Sequence, residues 1–339
     1  MVGLAKEQMT CAYLTLVMKG DEYVSGALVL AKSLRLTGTK HVIACMITSD
    51  VSMIAQDDLH KVFDAVHVVD YYNAQVTRLR TDKAEKMYEA WMSISLTWYQ
   101  ALKLEQYEKV LLLDSDVAIL RNMDNLFNLS TPAGCFHSFW QRPYYGQLKH
   151  GSKVPSKHIM QALHDRKGMF VCIGNGLLLS PLQEAFTAFD ECMLDFAEKH
   201  NGSLGFPESI SGINEQMIAY FYVEHGFTWT HIGTQYQIIP WKKVKNSKEA
   251  PYLFHYFNMK PWRMNISAWP DLQVWWRFAK AVLNDNPESI RYIPEDFQQN
   301  LIAIESFMPS CCFWCSDHGH PFMSRDCKIQ CQKFLDNED

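Results

Sequence analysis

No run of apolar residues in this 339-residue sequence approaches the roughly 18 that a membrane-spanning helix needs. Basic blocks are missing too, and the formal charge of −5 gives no electrostatic footprint for nucleic acid. The opening residues, Met1 to Cys11, lack the apolar core of a secretory signal because Lys6 and Glu7 interrupt them, so the expected location is cytoplasmic. No Gly-x-Gly-x-x-Gly follows the first apolar run, which argues against a dinucleotide-dependent oxidoreductase. Internal repeats and low-complexity tracts are likewise absent. The three Asn-x-Ser/Thr triplets, at Asn128, Asn201 and Asn265, differ little from the one or two that chance supplies, and we read nothing into them. There are ten cysteines, but a chain of this length buries enough core to be stable without bridges.

What is present is an alternation of strand and helix patterns. Ala12 to Val17 is a short run of strand formers, followed by the polar turn Lys19-Gly20-Asp21-Glu22 and by helical spacing from Val24 to Leu34. Val42 to Ile47 and Val66 to Val69 read as further strands, with a helical stretch from Met53 to Phe63 between them. This order predicts a parallel α/β sheet covered by helices on both faces. A long polar helix is expected from Thr81 to Gln106. Val110-Leu111-Leu112-Leu113 then shows no alternation and predicts a strand buried on both sides. Strands are also expected over Gly134–Phe139 and Met169–Ser180, with the Gly/Lys/His-rich stretch Arg142–Lys167 between them as a variable loop suited to an acceptor. Helices are expected over Pro181–His200, Asn214–His225 and Trp269–Asn284, and extended chain over Trp229–Trp241 and Pro251–Phe257.

The buried strand ends at Asp114-Ser115-Asp116. Ligands of open α/β sheets bind beyond the carboxyl ends of the strands, so this placement favours chemistry. Two carboxylates one residue apart can hold a single hard divalent cation and leave coordination positions for diphosphate oxygens. They fit chelation better than the two sides of a glycosidic bond, which argues against a glycosidase. A second segment, His255-Tyr256-Phe257-Asn258-Met259-Lys260-Pro261-Trp262, offers a neutral imidazole ligand and a lysine for a phosphate. Taken singly, these residues have plain alternatives: a polar turn after a strand, and a satisfied core histidine.

Together, the opening with Thr15, Tyr23 and Gly26-Ala27-Leu28-Val29-Leu30, the run Tyr107 to Val117 (YEKVLLLDSDV) and the run Phe254 to Trp262 (FHYFNMKPW) resemble glycosyltransferase family eight, which includes glycogenin and galactinol synthase. The resemblance spans about residues 10 to 285. It implies one nucleotide-sugar-binding domain of the GT-A type over residues 1–268, a Rossmann-like mixed sheet, with a helical extension over 269–305. It also implies a retaining transfer of a hexose, glucose or galactose, from a UDP-sugar donor to a carbohydrate, polyol or protein acceptor. In this reading Asp114, Asp116 and His255 hold manganese or magnesium, and Lys260 contacts the donor diphosphate. Thr15, Leu16 and Tyr23 hold the uridine, with Ser115 and Gly176 also on the donor. Glu215 and Gln216 border the donor sugar, Glu215 as nucleophile or as an orienting group. The sequence departs from the family pattern in three places. Gly174 stands where an asparagine is usual. The His255–Lys260 spacing is short and lacks a glycine. Trp98 stands sixteen residues before Asp114, where a Lys or Arg is usual, so the charge would come from Arg78, Arg80 or Lys83, or be absent. The alternative function is a catalytically weakened relative that binds sugar or nucleotide.

The last segment, residues 306–339, is Cys/His-rich and holds five of the ten cysteines. Two short cysteine spacings across a gap predict a structural zinc on Cys312, Cys315, Cys327 and Cys331, with His318 or His320 as replacements. Disulfides, or an end with no defined role, are the other readings.

Overall fold

The computed structural model describes residues 10–136, 143–168, 173–209, 211–237, 251–257, 260–268 and 272–306. In chain order the elements are β1 (Thr10–Val17), α1 (Val24–Leu36), β2 (Val42–Ile47), α2 (Met53–Val62), β3 (Ala65–Val68), α3 (Asp82–Tyr88), β4 (Tyr107–Leu112), β5 (Val117–Ile119), β6 (Ala133–Cys135), β7 (Lys153–Val154), α4 (Ser156–Asp165), β8 (Ile173–Leu179), α5 (Gln183–Lys199), α6 (Ile213–Glu224), β9 (Trp229–His231), β10 (Leu253–His255), α7 (Leu272–Asp285) and α8 (Glu295–Ser306). They fall into two compact units that interleave along the chain, the first division lying inside β1 between Leu14 and Thr15.

The first unit runs to Leu14 and then takes His67–Leu113 and Asn125–Thr234. Its sheet is mixed. β4 pairs parallel with β1 (Leu14 opposite Leu112) and antiparallel with β8 (Val110 opposite Leu179). With a strand on each side, Val110, Leu111 and Leu112 are almost wholly buried, as the unbroken apolar run predicts. β6 joins β8 antiparallel and β9 parallel, and β7 closes the edge on β9. The sheet is thus mixed, as the family resemblance implies, with β8 running antiparallel to both of its neighbours. The register of β8 against β6 also shifts, Ala133 facing Leu178 but Cys135 facing Ile173. Gly176, with φ of +74°, sits inside that irregularity, a backbone position a side chain resists.

The expected helix over Thr81–Gln106 is two pieces. Thr81 caps α3 by accepting from the Ala84 N–H, and the chain leaves helical geometry at Trp91 (φ −143°) before the 3-10 helix Met92–Lys103. Within Arg142–Lys167, read as loop, α4 buries Ile159, Ala162 and Leu163, a one-sided stripe at helical spacing.

The second unit comprises Thr15–Val66, Asp114–Asp124 and the chain from Gln235 onward. Here the last residues of β1 stand beside β2, and α1 is almost entirely buried. β5 pairs antiparallel with β10, Val117 opposite His255 and Ile119 opposite Leu253. The expected helical extension is α7, a 3-10 turn at Pro287–Tyr292 and α8; α7, with Trp275 and Trp276 buried, packs against α1. Asn300 of α8 ties down the chain before α7, accepting from the Ile266 N–H (3.0 Å) and donating to the Met264 carbonyl (2.8 Å). Among the described residues no helix is long and apolar enough to cross a membrane. The proposed zinc ligands Cys312, Cys315, Cys327 and Cys331, like His318 and His320, lie outside the described residues.

Candidate active site

The last backbone bond of the buried strand runs from the Leu113 N–H to the Leu14 carbonyl (2.9 Å). Past it, Asp114 and Asp116 leave the ladder, and β5 then pairs with β10, whose end presents His255. The Tyr256 N–H donates to the Asp116 carbonyl (2.9 Å), fixing the two segments against each other. The result is convergence of side chains far apart in sequence. His255 Nε2 is 3.2 Å from Asp114 Oδ2 and 3.4 Å from Asp116 Oδ1, and one ligand atom from each of the three lies within 4.8 Å of the others. Lys260 Nζ reaches Asp116 Oδ2 at 2.5 Å.

Charge explains why so polar a group tolerates burial. Burial alone would raise the Asp116 pKa, but Lys260 and His255 hold it well below the usual carboxylate range. Burial would lower the pKa of His255; Asp116, with Asp114, overrides that and carries it up to about 9. Asp114 is the open member, its side chain 31% exposed against 5% for Asp116. Two carboxylate oxygens and an imidazole nitrogen that close together form a donor set suited to a hard divalent cation such as manganese or magnesium.

The surrounding groups follow from the turn after β1. Lys19 and Gly20 both take positive φ (63° and 69°), turning the chain sharply into α1, with Tyr23 just before the helix. The Tyr23 ring lies edge-on to Trp262 (5.7 Å between centroids) and 5.5 Å from Lys260 Nζ. Thr15 and Leu16 are buried at the end of β1, and the Thr15 hydroxyl has no hydrogen-bond partner among the described residues. Gly26 was read only as part of a motif, yet it decides the packing. A Cβ there would lie 2.5 Å from the Ser115 carbonyl oxygen and 2.8 Å from the Trp262 ring, so the missing side chain lets α1 press against both site segments at once. A glycine inside an otherwise good helix was the available signal, since it costs about 0.5–1 kcal/mol relative to alanine.

Glu215 and Gln216 lie in the first turn of α6, in the first unit. The Gln216 amide is committed to its own loop. Its oxygen accepts from the Phe206 N–H (2.8 Å), and its nitrogen donates to Ser209 Oγ (3.0 Å) and to the carbonyls of Ser211 (2.7 Å) and Gly212 (3.2 Å). It is fully buried, and its observed bonds are those of a loop clamp. Trp98 is half-buried in the 3-10 helix, while Arg78, Arg80 and Lys83 are exposed, Arg78 paired with Asp82 at 2.8 Å. Asn258 and Met259 lie outside the described residues.

The family description "Glycosyl transferase family 8" matches residues 15–170, a stretch that begins near the end of β1 and includes the aspartate pair. That stretch, a little under half of the chain, is similar to glycosyltransferase family 8. Among its relatives, an uncharacterized protein of Acanthamoeba polyphaga mimivirus is 28% identical over 259 residues, covering 70% of this chain and 84% of the viral protein. Glycogenin-1 of Caenorhabditis elegans is 36% identical over 119 residues, but this covers 35% of the chain and 27% of the glycogenin. The galactosyltransferase LgtC, solved with donor and acceptor sugar analogues, superposes with a TM-score of 0.53 over 86% of this chain and 100% of LgtC at 14% identity. That likeness is one of fold: this glycosyltransferase has the GT-A architecture, with a mixed sheet and a helical C-terminal region.

Proposed function

We propose that this glycosyltransferase is a retaining, metal-dependent enzyme that moves a hexose, glucose or galactose, from a UDP-sugar to a carbohydrate, polyol or protein acceptor. The observation that carries the reading is the convergence of Asp114, Asp116 and His255 at the end of a buried strand, with Lys260 against them. A divalent cation held there would offset the charge that develops on the leaving diphosphate. The chain's own groups do the rest. Lys260 supplies an ammonium for a diphosphate oxygen, a charge-assisted contact worth on the order of 1.5–3 kcal/mol. The unpartnered Thr15 hydroxyl supports the uridine assignment, because a buried hydroxyl left unpaired is costly until a ligand satisfies it. Tyr23 offers a ring to the base. Glu215 is the carboxylate proposed to act on the donor sugar, on the resemblance alone; with the Gln216 amide committed to its loop, Glu215 is the member of that pair to test first.

A second reading, a weakened relative that binds nucleotide without efficient turnover, is favoured by Trp98 in place of a basic residue and by the committed Gln216. One screen separates the two. UDP-glucose and UDP-galactose are incubated with the chain, with and without manganese, and release of UDP is measured. The enzyme reading expects manganese-dependent release from one donor. UDP binding without release from any sugar nucleotide would transfer support to the second reading.

A further inference from the structure

Asp116 is claimed by more than one cation. Its Oδ1 faces His255 Nε2, while its Oδ2 is held by Lys260 at 2.5 Å, and the carboxylate is only 5% exposed, so no third face is open to solvent. Lys260 enters this pair from the residue immediately before Pro261, at the head of the stiff 3-10 turn Pro261–Arg263. That turn is anchored by Trp262, which packs on Tyr23 and Trp275, so the lysine backbone is fixed and only its flexible four-carbon stem can move. The ammonium has a second resting place within reach, since the face of Tyr23 is 5.5 Å away and aromatic faces attract cations.

We propose that Lys260 and the divalent cation compete for Asp116, so that a nucleotide diphosphate strengthens cation binding by drawing the ammonium onto itself. The inference rests on the metal reading above and extends it: Lys260 is a positioning residue that makes cation and diphosphate binding depend on each other. An ammonium and a divalent ion on one small carboxylate repel strongly at such separations. The cation alone must therefore displace the lysine or tolerate it. A diphosphate gives the ammonium a better partner and frees Asp116. Linkage then requires the reciprocal effect, tighter UDP in the presence of the cation.

The test is calorimetry on the full chain with manganese alone, UDP alone and the two together, for the wild type, Lys260→Met and Lys260→Gln. The expected result is that either substitution tightens manganese alone by about tenfold while weakening UDP alone, an inversion that loss of a purely phosphate-binding lysine does not produce. Thermal melts confirm that the variants fold, and the glutamine variant keeps a polar side chain should the methionine one fail. Manganese affinity that is unchanged or weaker in a folded variant, with normal manganese–UDP binding in the wild type, overturns the proposal and leaves the metal reading standing. A wild type that takes up no manganese even with UDP present overturns both.

Discussion

Two buried polar clusters in this chain use similar depth for opposite ends. Around Gln216, one amide is tied to the backbone and one hydroxyl of residues 206–212, and what it stabilises is its own loop. Around Asp116, side chains of like reach face one another instead of the backbone, and their charges offset each other. A neutral amide bonded mostly to main chain has little left to offer a ligand. A carboxylate held by an imidazole and an ammonium can exchange either partner for another cation. Burial alone does not mark a binding group; the nature of its partners does.

The comparison breaks most visibly at Asp114. It is the exposed member of the trio, so Asp114→Asn removes a ligand charge without stripping the partners from buried Asp116. Turnover should fall by about 10²–10³, the usual scale for losing an electrostatic contact made in the transition state, with the melting temperature nearly unchanged. Near-wild-type rates across a manganese titration would remove Asp114 from the site. Asp116→Asn is the poorer probe, because it also strands Lys260 and His255.

Gly26→Ala comes next. In a helix interior this change normally stabilises by about 0.5–1 kcal/mol. Here the added methyl meets a backbone oxygen and an indole, so the sign reverses to a loss of about 1–3 kcal/mol, accompanied by weaker UDP binding. A stabilised variant with unchanged UDP affinity would show that α1 does not set the site.

Gln216→Ala should cost about 1–3 kcal/mol in chemical denaturation by leaving buried loop groups unpaired, while manganese affinity stays at the wild-type value. A variant of normal stability that has lost donor turnover would return Gln216 to the sugar-binding role implied by the family resemblance.

The most gradual effect is on pH. His255, raised to about 9, contributes stability that is fully present below about 6.5 and is lost as pH climbs through 9. Metal ligation needs the neutral ring, so manganese affinity should rise with pH over the same window, by up to about tenfold per unit. Calorimetry between pH 6.5 and 8.5 reads this slope, and His255→Gln should flatten it.

Much of the site was legible in the sequence because it is written in local runs: four apolar residues ending in Asp-Ser-Asp, and a histidine followed at short range by Lys-Pro-Trp. The partnership between Lys260 and Asp116 was not, since it depends on β5, a strand of three residues too short to signal itself, pairing with β10. The alternation before Val69 gave β1, α1, β2, α2 and β3 closely. The antiparallel entry of β8 was hidden, because direction is set by the connection and leaves no mark on the apolar pattern. α4 was hidden behind its Lys- and His-rich solvent face, and the helix break at Trp91 behind residues that suit a helix on either side.

The pairing of β5 with β10 also orders events during synthesis. Asp116 and Lys260 stand 144 positions apart, so a ribosome making the chain exposes the aspartates long before the lysine and histidine that neutralise them. For that interval the carboxylates stay in water, and burying them unpartnered would be costly. The cluster forms late, once β10 has emerged to lie along β5. A nucleotide or metal that recognises the finished cluster then stabilises only chains that have passed this step.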